Sequence, residues 1–208
     1  MKPEVASAEA VLLLDTVVEH LKKRGLLTEA ELEARIRAAS IASPRHGAQL
    51  VAKAWTDPHF KELLLRDGTA AAEQLGFFPA GGPPVGVLEN TSEVHNLVVC
   101  TLCSCYPRWL LGYPRDWYKS STYRARAVRS PRALLREWGI DLAPEVQIRV
   151  VDSTADYRWM VLPMRPDWTR DWSEEQLIDI VTPDSLVGAD LPRIDRGETS
   201  GSGVRTAL

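Results

Sequence analysis

The chain of 208 residues is 45% apolar and 25% charged, which is typical of a globular protein with one domain, or one domain and an appendage. Its net charge of −3 excludes the global basic surface that binds nucleic acids or anionic membranes, so we expect neither partner. No apolar run reaches the roughly 18 residues of a membrane-spanning helix, the N-terminus lacks a signal-peptide pattern, and we therefore expect a cytoplasmic protein.

The first 76 residues are predicted to be helical. Apolar side chains recur at helical spacing in the first helix, at Val11, Leu14, Val18 and Leu21. A capping box at residues 28–31 opens a second helix, and three shorter helices follow before Gly76. This region carries little polar chemistry, so we interpret residues 1–76 as a helical arm.

The sequence FFPAGGPPVG, which begins at Phe77, breaks the helical pattern with three prolines and three glycines. We place a linker at residues 77–92, a metal-binding catalytic domain at residues 93–193 and a flexible tail at residues 194–208. Short β-type segments alternate irregularly with helical ones in the predicted domain. The pattern predicts an α+β fold, in which the helical arm precedes a mixed α/β metal-binding domain.

All the cysteines of the chain, Cys100, Cys103 and Cys105, lie within six residues. A redox Cys-x-x-Cys pair normally belongs to a thioredoxin-like βαβ pattern, which is missing here. A structural zinc site requires four ligands, and His95 is the candidate for the fourth. A zinc-stabilised, non-enzymatic interaction module therefore stays open as an alternative. Cysteines that were simply buried in a core would not need to cluster.

A third hypothesis uses the backbone between the last two cysteines. If the amides of Ser104 and Cys105 lose their protons, two nitrogens join three thiolates around one ion. Five such ligands leave the sixth octahedral position open and favour a low-spin trivalent metal over zinc. An open position indicates catalysis rather than structure.

The sequence VCTLCSCYP at residues 99–107 resembles the α subunit of nitrile hydratases, and the γ subunit of thiocyanate hydrolase is a close relative of that family. The resemblance extends from about residue 54 to about Ile194 and so covers most of the chain. It is carried further by WY at 117–118, YRAR at 123–126 and RWMVLP at 158–163.

The resemblance implies a hydro-lyase that adds water to a nitrile to form the amide. Thr101 after the first cysteine implies a non-corrin Co(III) ion, held by Cys100, Cys103, Ser104 and Cys105. It further implies that Cys100 stays a thiolate, that Cys103 becomes sulfinic acid and that Cys105 becomes sulfenic acid. We expect the sulfenate of Cys105 to act as the nucleophile, with Ser104 orienting the loop.

The resemblance also implies a nitrile hydratase β subunit as partner, either as one chain or split into two, which carries arginines that balance the oxidised cysteines. Basic residues of this chain at 124–136 are either a partner-facing patch or the solvated face of a helix. Asp152, Asp156 and Arg158 lie near predicted strand ends, where we expect them to brace the site rather than to catalyse.

The sequence departs from the family pattern just after the cysteines. Family members usually have tryptophan at the position of Arg108, so we assign Arg108 and Trp109 to the substrate pocket. A polar, aromatic pocket would suit a bulky heteroaromatic or nucleoside nitrile such as toyocamycin. The alternatives are a neutral replacement at a subunit surface, or a preference for a small anion such as thiocyanate.

Overall fold

The computed structural model describes residues 7–40, 42–79 and 81–194, so nearly all of the predicted tail lies outside the described residues. The chain divides into two compact units, Met1–Ile41 and Ala42–Leu208. The sequence instead predicts a boundary at residue 77, which lies inside the second unit. The structure differs because the helices that follow residue 42 pack against the strands of the second unit.

The first unit contains helix α1 (Ala8–Lys23) and helix α2 (Glu29–Ser40). The predicted capping box is confirmed: the Glu31 amide donates to Thr28 Oγ1 over 3.2 Å, and the Thr28 amide donates to the Glu31 carboxylate over 2.8 Å. All of α1 is described, and none of its residues is buried. Five of its large apolar side chains are exposed, namely Val11, Leu12, Leu13, Leu14 and Val17, whereas Val18 and Leu21 are half-buried.

The second unit begins with helices α3 (Pro44–Thr56), α4 (Pro58–Arg66) and α5 (Gly68–Gln74). The Asp57 carboxylate separates α3 from α4, because it accepts the amide hydrogens that open α4. Helix α3 is the central one, since it packs against its successor and against two short helices later in the chain. Six of its residues are buried, namely Gly47, Ala48, Leu50, Val51, Ala52 and Ala54.

Within the described ranges, four strands form two separate parallel pairs. Strand β1 (Val85–Glu89) pairs with β4 (Arg158–Leu162), and β2 (Val94–Val99) pairs with β3 (Gln147–Asp152). Strand β1 lies inside the segment that we predicted to be a linker. The strand was not predicted because it has only five residues and directly follows several prolines and glycines, which are typical of a linker. Three of its residues are buried.

Short helices fill the space around the strands: α6 (Arg108–Leu111), α7 (Asp116–Lys119), α8 (Ser121–Arg129), α9 (Pro131–Glu137) and α10 (Glu174–Asp179). The capping box that opens α10 is complete. This mixture of helices and strands confirms the predicted α+β class. None of the described helices is long and apolar enough to cross a membrane.

The arginine-rich segment at residues 124–136 is largely engaged within the chain. Arg126 forms an ion pair with Glu137 at 2.5 Å, and Arg136 one with Asp141 at 3.2 Å. Arg132 donates to the backbone oxygens of residues 142 and 143, each over 3.0 Å. These arginines therefore hold the local fold, which disfavours the interpretation of the whole segment as a partner-facing patch.

The segment at residues 185–188 packs against strand β2. A 3₁₀ turn (Ser185–Val187) ends at Gly188, whose φ is +77°. A Cβ atom at Gly188 would lie 1.8 Å from the backbone oxygen of Asn96, so only glycine fits there. The Gly188 oxygen accepts a hydrogen bond from Nε2 of His95, 2.8 Å away.

Candidate metal centre

The cysteines lie where strand β2 leaves its pair. Residues 97–99 of β2 are buried, and the chain then turns through residues 100–107, here called the cysteine loop, before helix α6 begins. The loop thus begins at the carboxyl end of a parallel strand, the edge at which ligands commonly bind in sheets of this kind.

The loop brings the three thiols together. The three Sγ atoms lie within 4.8 Å of one another, with 3.4 Å between Cys100 and Cys103 and 3.2 Å between Cys103 and Cys105. Cys100 and Cys105 are buried, whereas Cys103 is exposed. The Cys103 amide donates to the Cys100 sulfur over 3.2 Å, which tightens the first turn of the loop.

Neighbouring elements hold the loop by its backbone. Asp152, at the end of β3, accepts the Thr101 amide over 3.0 Å and also accepts the Thr101 hydroxyl. Arg124 of α8 donates to the Leu102 oxygen over 2.7 Å. Tyr118 of α7 donates to the Cys105 oxygen over 2.9 Å. The loop is therefore fixed at its first, middle and last parts by this chain alone.

The thiols differ in their acidity. Hydrogen bonds from Cys105 and Cys100 lower the pKa of Cys103 to about 7. Burial raises the pKa of Cys105 to about 11, the bond with Cys103 adds to that rise, and the guanidinium of Arg158 opposes it. The exposed Cys103 is thus ready to ionise near neutral pH, whereas the buried Cys105 stays protonated there although the Arg158 guanidinium is close.

Two of the bracing residues, Arg124 and Tyr118, were not singled out in the sequence as holding the loop, although Arg124 lies in the arginine-rich segment. Arg124 is 22 positions and Tyr118 is 13 positions from the oxygen that it binds, so no local pattern reveals them. Asp152 does brace the site, as expected. Asp156 is exposed, and no contact joins it to the loop among the residues described.

His95 does not join the cysteines. Its Nε2 donates to the Gly188 oxygen, and its Nδ1 lies 3.3 Å from the side-chain amide of Asn90. Burial lowers the pKa of His95, which favours the neutral ring. The zinc ligand set that used His95 is therefore wrong, because both ring nitrogens are engaged elsewhere.

The predicted site residues beyond the thiols occupy different surroundings. Ser104 is half-buried in the loop, between Cys103 and Cys105. Arg108 is exposed at the start of α6, with its guanidinium carbon 5.7 Å from the centre of the Tyr113 ring. Trp109 is half-buried and meets the Phe78 ring edge-on at 5.8 Å. Their assignment to a substrate pocket stays a prediction.

Comparison with known proteins gives a consistent result. A family profile described as "Nitrile hydratase, alpha chain" matches residues 8–190. The chain is 54% identical over 149 residues to the low-molecular-weight cobalt-containing nitrile hydratase subunit alpha of Rhodococcus rhodochrous, which covers 72% of each protein. It is 46% identical over 175 residues to the cobalt-containing nitrile hydratase subunit alpha of Pseudonocardia thermophila, which covers 82% of this chain and 84% of that protein.

Comparison with solved structures points to the same group of proteins. A solved structure of recombinant thiocyanate hydrolase with partially modified cobalt centres matches with a TM-score of 0.82 at 39% identity. The match covers 92% of this chain and 93% of that chain.

Proposed function

This chain belongs to the nitrile hydratase alpha-chain family, and on that premise we propose that it is the metal-bearing α subunit of a cobalt-dependent nitrile hydratase. It adds water across the C≡N bond of a nitrile and releases the amide. The observation that carries the proposal is the convergence of three thiols within 4.8 Å on one braced loop. The non-enzymatic zinc module is set aside, because the family is one of enzymes and His95 is engaged elsewhere.

The donor set of the cysteine loop fits a trivalent cobalt ion. The sulfurs of Cys100, Cys103 and Cys105 would hold it, together with the backbone nitrogens of Ser104 and Cys105. Soft thiolates with strongly donating nitrogens suit such an ion better than zinc. When bound, the ion supplies Lewis acidity toward the nitrile and makes a nucleophile available near neutral pH.

We infer that Cys103 carries a sulfinic acid and Cys105 a sulfenic acid. Cys103 is exposed and ionises readily, which are the properties of a thiol open to oxidation. Cys105 lies deeper, where fewer oxidation steps are expected. Ser104, between them, orients the loop through its hydroxyl group.

The chemical step assigned to this chain is attack by the Cys105 sulfenate oxygen on the nitrile carbon. The carbon gains an oxygen while the nitrogen gains two protons, and one water molecule is consumed for each amide released. The water molecule attacks the Cys105 sulfur, the S–O bond to the substrate breaks with its electron pair on the departing imidate oxygen, and the sulfenate is regenerated while the imidate becomes the amide. The buried position of Cys105 keeps bulk water away from this oxygen.

The partner proposed for this chain is a nitrile hydratase β subunit, either as one chain or split into two. The exposed apolar side chains of α1 support a large partner surface, because a monomer rarely leaves such a row in water. The partner's arginines would balance the negative charge of the oxidised cysteines.

For the substrate we propose a bulky heteroaromatic or nucleoside nitrile such as toyocamycin. The support is the polar and aromatic character of Arg108 and Trp109 directly after the cysteines. A second candidate is thiocyanate, favoured by the exposed guanidinium of Arg108 three residues after Cys105 and by the similarity to a thiocyanate hydrolase structure.

The test is metal analysis with peptide mass measurement, on the chain purified with its partner from cobalt-supplemented cells. One cobalt per chain, with the oxygens of one sulfinic and one sulfenic acid, supports the proposal, whereas zinc with unmodified cysteines contradicts it. Rates with toyocamycin, a small aliphatic nitrile and thiocyanate then decide among the substrates.

A further inference from the structure

Arg158 is the first residue of β4, and its amide donates to the Pro84 oxygen over 2.9 Å. Its side chain is unusual, because Nε and Nη1 are both buried and make no hydrogen bond within the described part of the chain. A buried charged donor without an acceptor is costly. An anionic acceptor is therefore expected at this position in the working protein.

The Cys105 thiol is a neighbour of this guanidinium, which opposes the burial-induced rise in the pKa of Cys105 through a hydrogen bond and through its charge. Cys105 is itself buried, so water competes weakly for the contact. An arginine has donors in a planar fork that matches an oxygen anion, and its charge is permanent. A thiol is a poor acceptor for such donors, whereas a thiolate or a sulfenate is a good one.

A short turn holds Arg158 in place. The turn connects β3 to β4, and Asp152, which holds Thr101, lies at its other end. Within the turn, the Thr154 amide donates to the Tyr157 oxygen over 2.8 Å, and the Trp159 amide donates to Ser153 Oγ over 3.1 Å. One rigid connection thus presents a carboxylate to the start of the cysteine loop and a guanidinium to its end.

We propose that Arg158 is a positioning residue, which binds the anionic side chain of Cys105 and orients its oxygen after oxidation. This inference rests on the proposed function, since it requires an oxidised Cys105. It adds to that function a cation supplied by the α chain itself, distinct from arginines expected on the partner subunit.

The test uses Arg158→Met, which keeps the length of the side chain and removes its charge, and Arg158→Lys, which keeps the charge but not the fork. Arg149→Met is the matched control, because Arg149 also lies on a strand but is exposed. Each variant is purified with its partner from cobalt-supplemented cells. The readouts are cobalt content, the fraction of Cys105 peptides that carry one added oxygen, and the thiolate-to-cobalt absorption band.

We expect Arg158→Met to lower the oxygen-bearing fraction of Cys105 roughly tenfold and to shift the absorption band, as loss of a partner from a buried charge pair implies. Arg158→Lys should recover at least about half of that fraction, and Arg149→Met should match the wild type. The inference is overturned if Arg158→Met gives wild-type masses and spectrum. It is also overturned if a folded and assembled Arg158→Lys shows a roughly tenfold lower oxygen-bearing fraction than the wild type, a criterion that holds even when the methionine variant does not assemble. If the wild type itself lacks cobalt and oxygen, the proposed function fails instead.

Discussion

Helices α1 and α3 both carry apolar side chains at helical spacing, yet the two helices differ in how much of that apolar surface is buried. Helix α3 buries six residues against the rest of its unit, whereas α1 buries none. The exposed leucines of α1 are as large as Leu50, the buried leucine of α3. The pattern therefore identifies a helix that will be buried, but it does not identify the chain that will bury it.

The cysteine loop resembles α3 in this respect, because its supports come from the same chain. Asp152, Arg124 and Tyr118 hold its backbone before any partner or metal is considered. The molecule thus combines a cysteine loop that is held by hydrogen bonds from its own chain and a helix, α1, none of whose residues is buried. Changes to the loop should alter chemistry, and changes to α1 should alter assembly.

The largest effect is expected from removing the proposed nucleophile. Cys105→Ala should lower the rate of amide formation by on the order of 10³-fold or more, since the nucleophile and a metal ligand are lost together. The assay is the hydration rate of the heteromer, with its assembly checked by size-exclusion chromatography. An active Cys105→Ala enzyme would contradict the assignment of Cys105.

A smaller effect is expected from loosening the loop. Asp152→Ala removes the acceptor of both Thr101 hydrogen bonds and should lower cobalt affinity or activity about 10- to 100-fold, the usual cost of losing a group that orients metal ligands. Cobalt content and hydration rate are measured for this variant and for the control Asp156→Ala. The control removes an exposed carboxylate in the same β3–β4 turn, two residues before Arg158. Equal behaviour of the two variants would show that the Asp152 contacts do not matter.

The comparison of the two helices is tested by matched truncations. Leu50→Ala in α3 should lower the free energy of unfolding by about 2–5 kcal/mol, because it opens a cavity in a packed core. Leu13→Ala in α1 should change it by less than about 0.5 kcal/mol in the chain alone, yet weaken the partner complex roughly tenfold. Denaturation of the isolated chain measures the free energy of unfolding, and titration with the partner measures the affinity of the complex. A large loss of intrinsic stability in Leu13→Ala would place α1 in a core of this chain.

The smallest effect concerns the thiols of the metal-free chain. A thiolate fraction grows as pH rises through the pKa, so Cys103, at about 7, is half ionised at neutral pH, whereas Cys105, at about 11, is not. Because a more acidic thiolate is also a weaker nucleophile, Cys103 should react with iodoacetamide at pH 7 only about fivefold faster than an ordinary thiol. Peptide mass analysis over pH 6–10 measures this, and preferential labelling of Cys105 at pH 7 would refute it.

The sequence predicts local features well and distant contacts poorly. Both capping boxes and the helices of the first 76 residues are present, since each depends on residues a few positions apart. The thiol cluster is equally local. Strand β1 was missed because its pairing with β4 joins residues more than seventy positions apart. The contacts of Arg124 and Tyr118 with the loop depend on the same kind of long-range packing, which no local pattern encodes.

The close fit of Gly188 against β2 has a consequence for timing during synthesis. Strand β2, which leads into the cysteine loop, is complete only when β3 has paired with it and when the turn before Gly188 has reached Asn96. Those segments follow the cysteines by about 50 and about 90 residues, and contacts of such separation form late in folding. The thiols therefore reach their final positions only after the ribosome has synthesised the segment up to Gly188, so a metal ion that needs all three sulfurs in place would enter after that point.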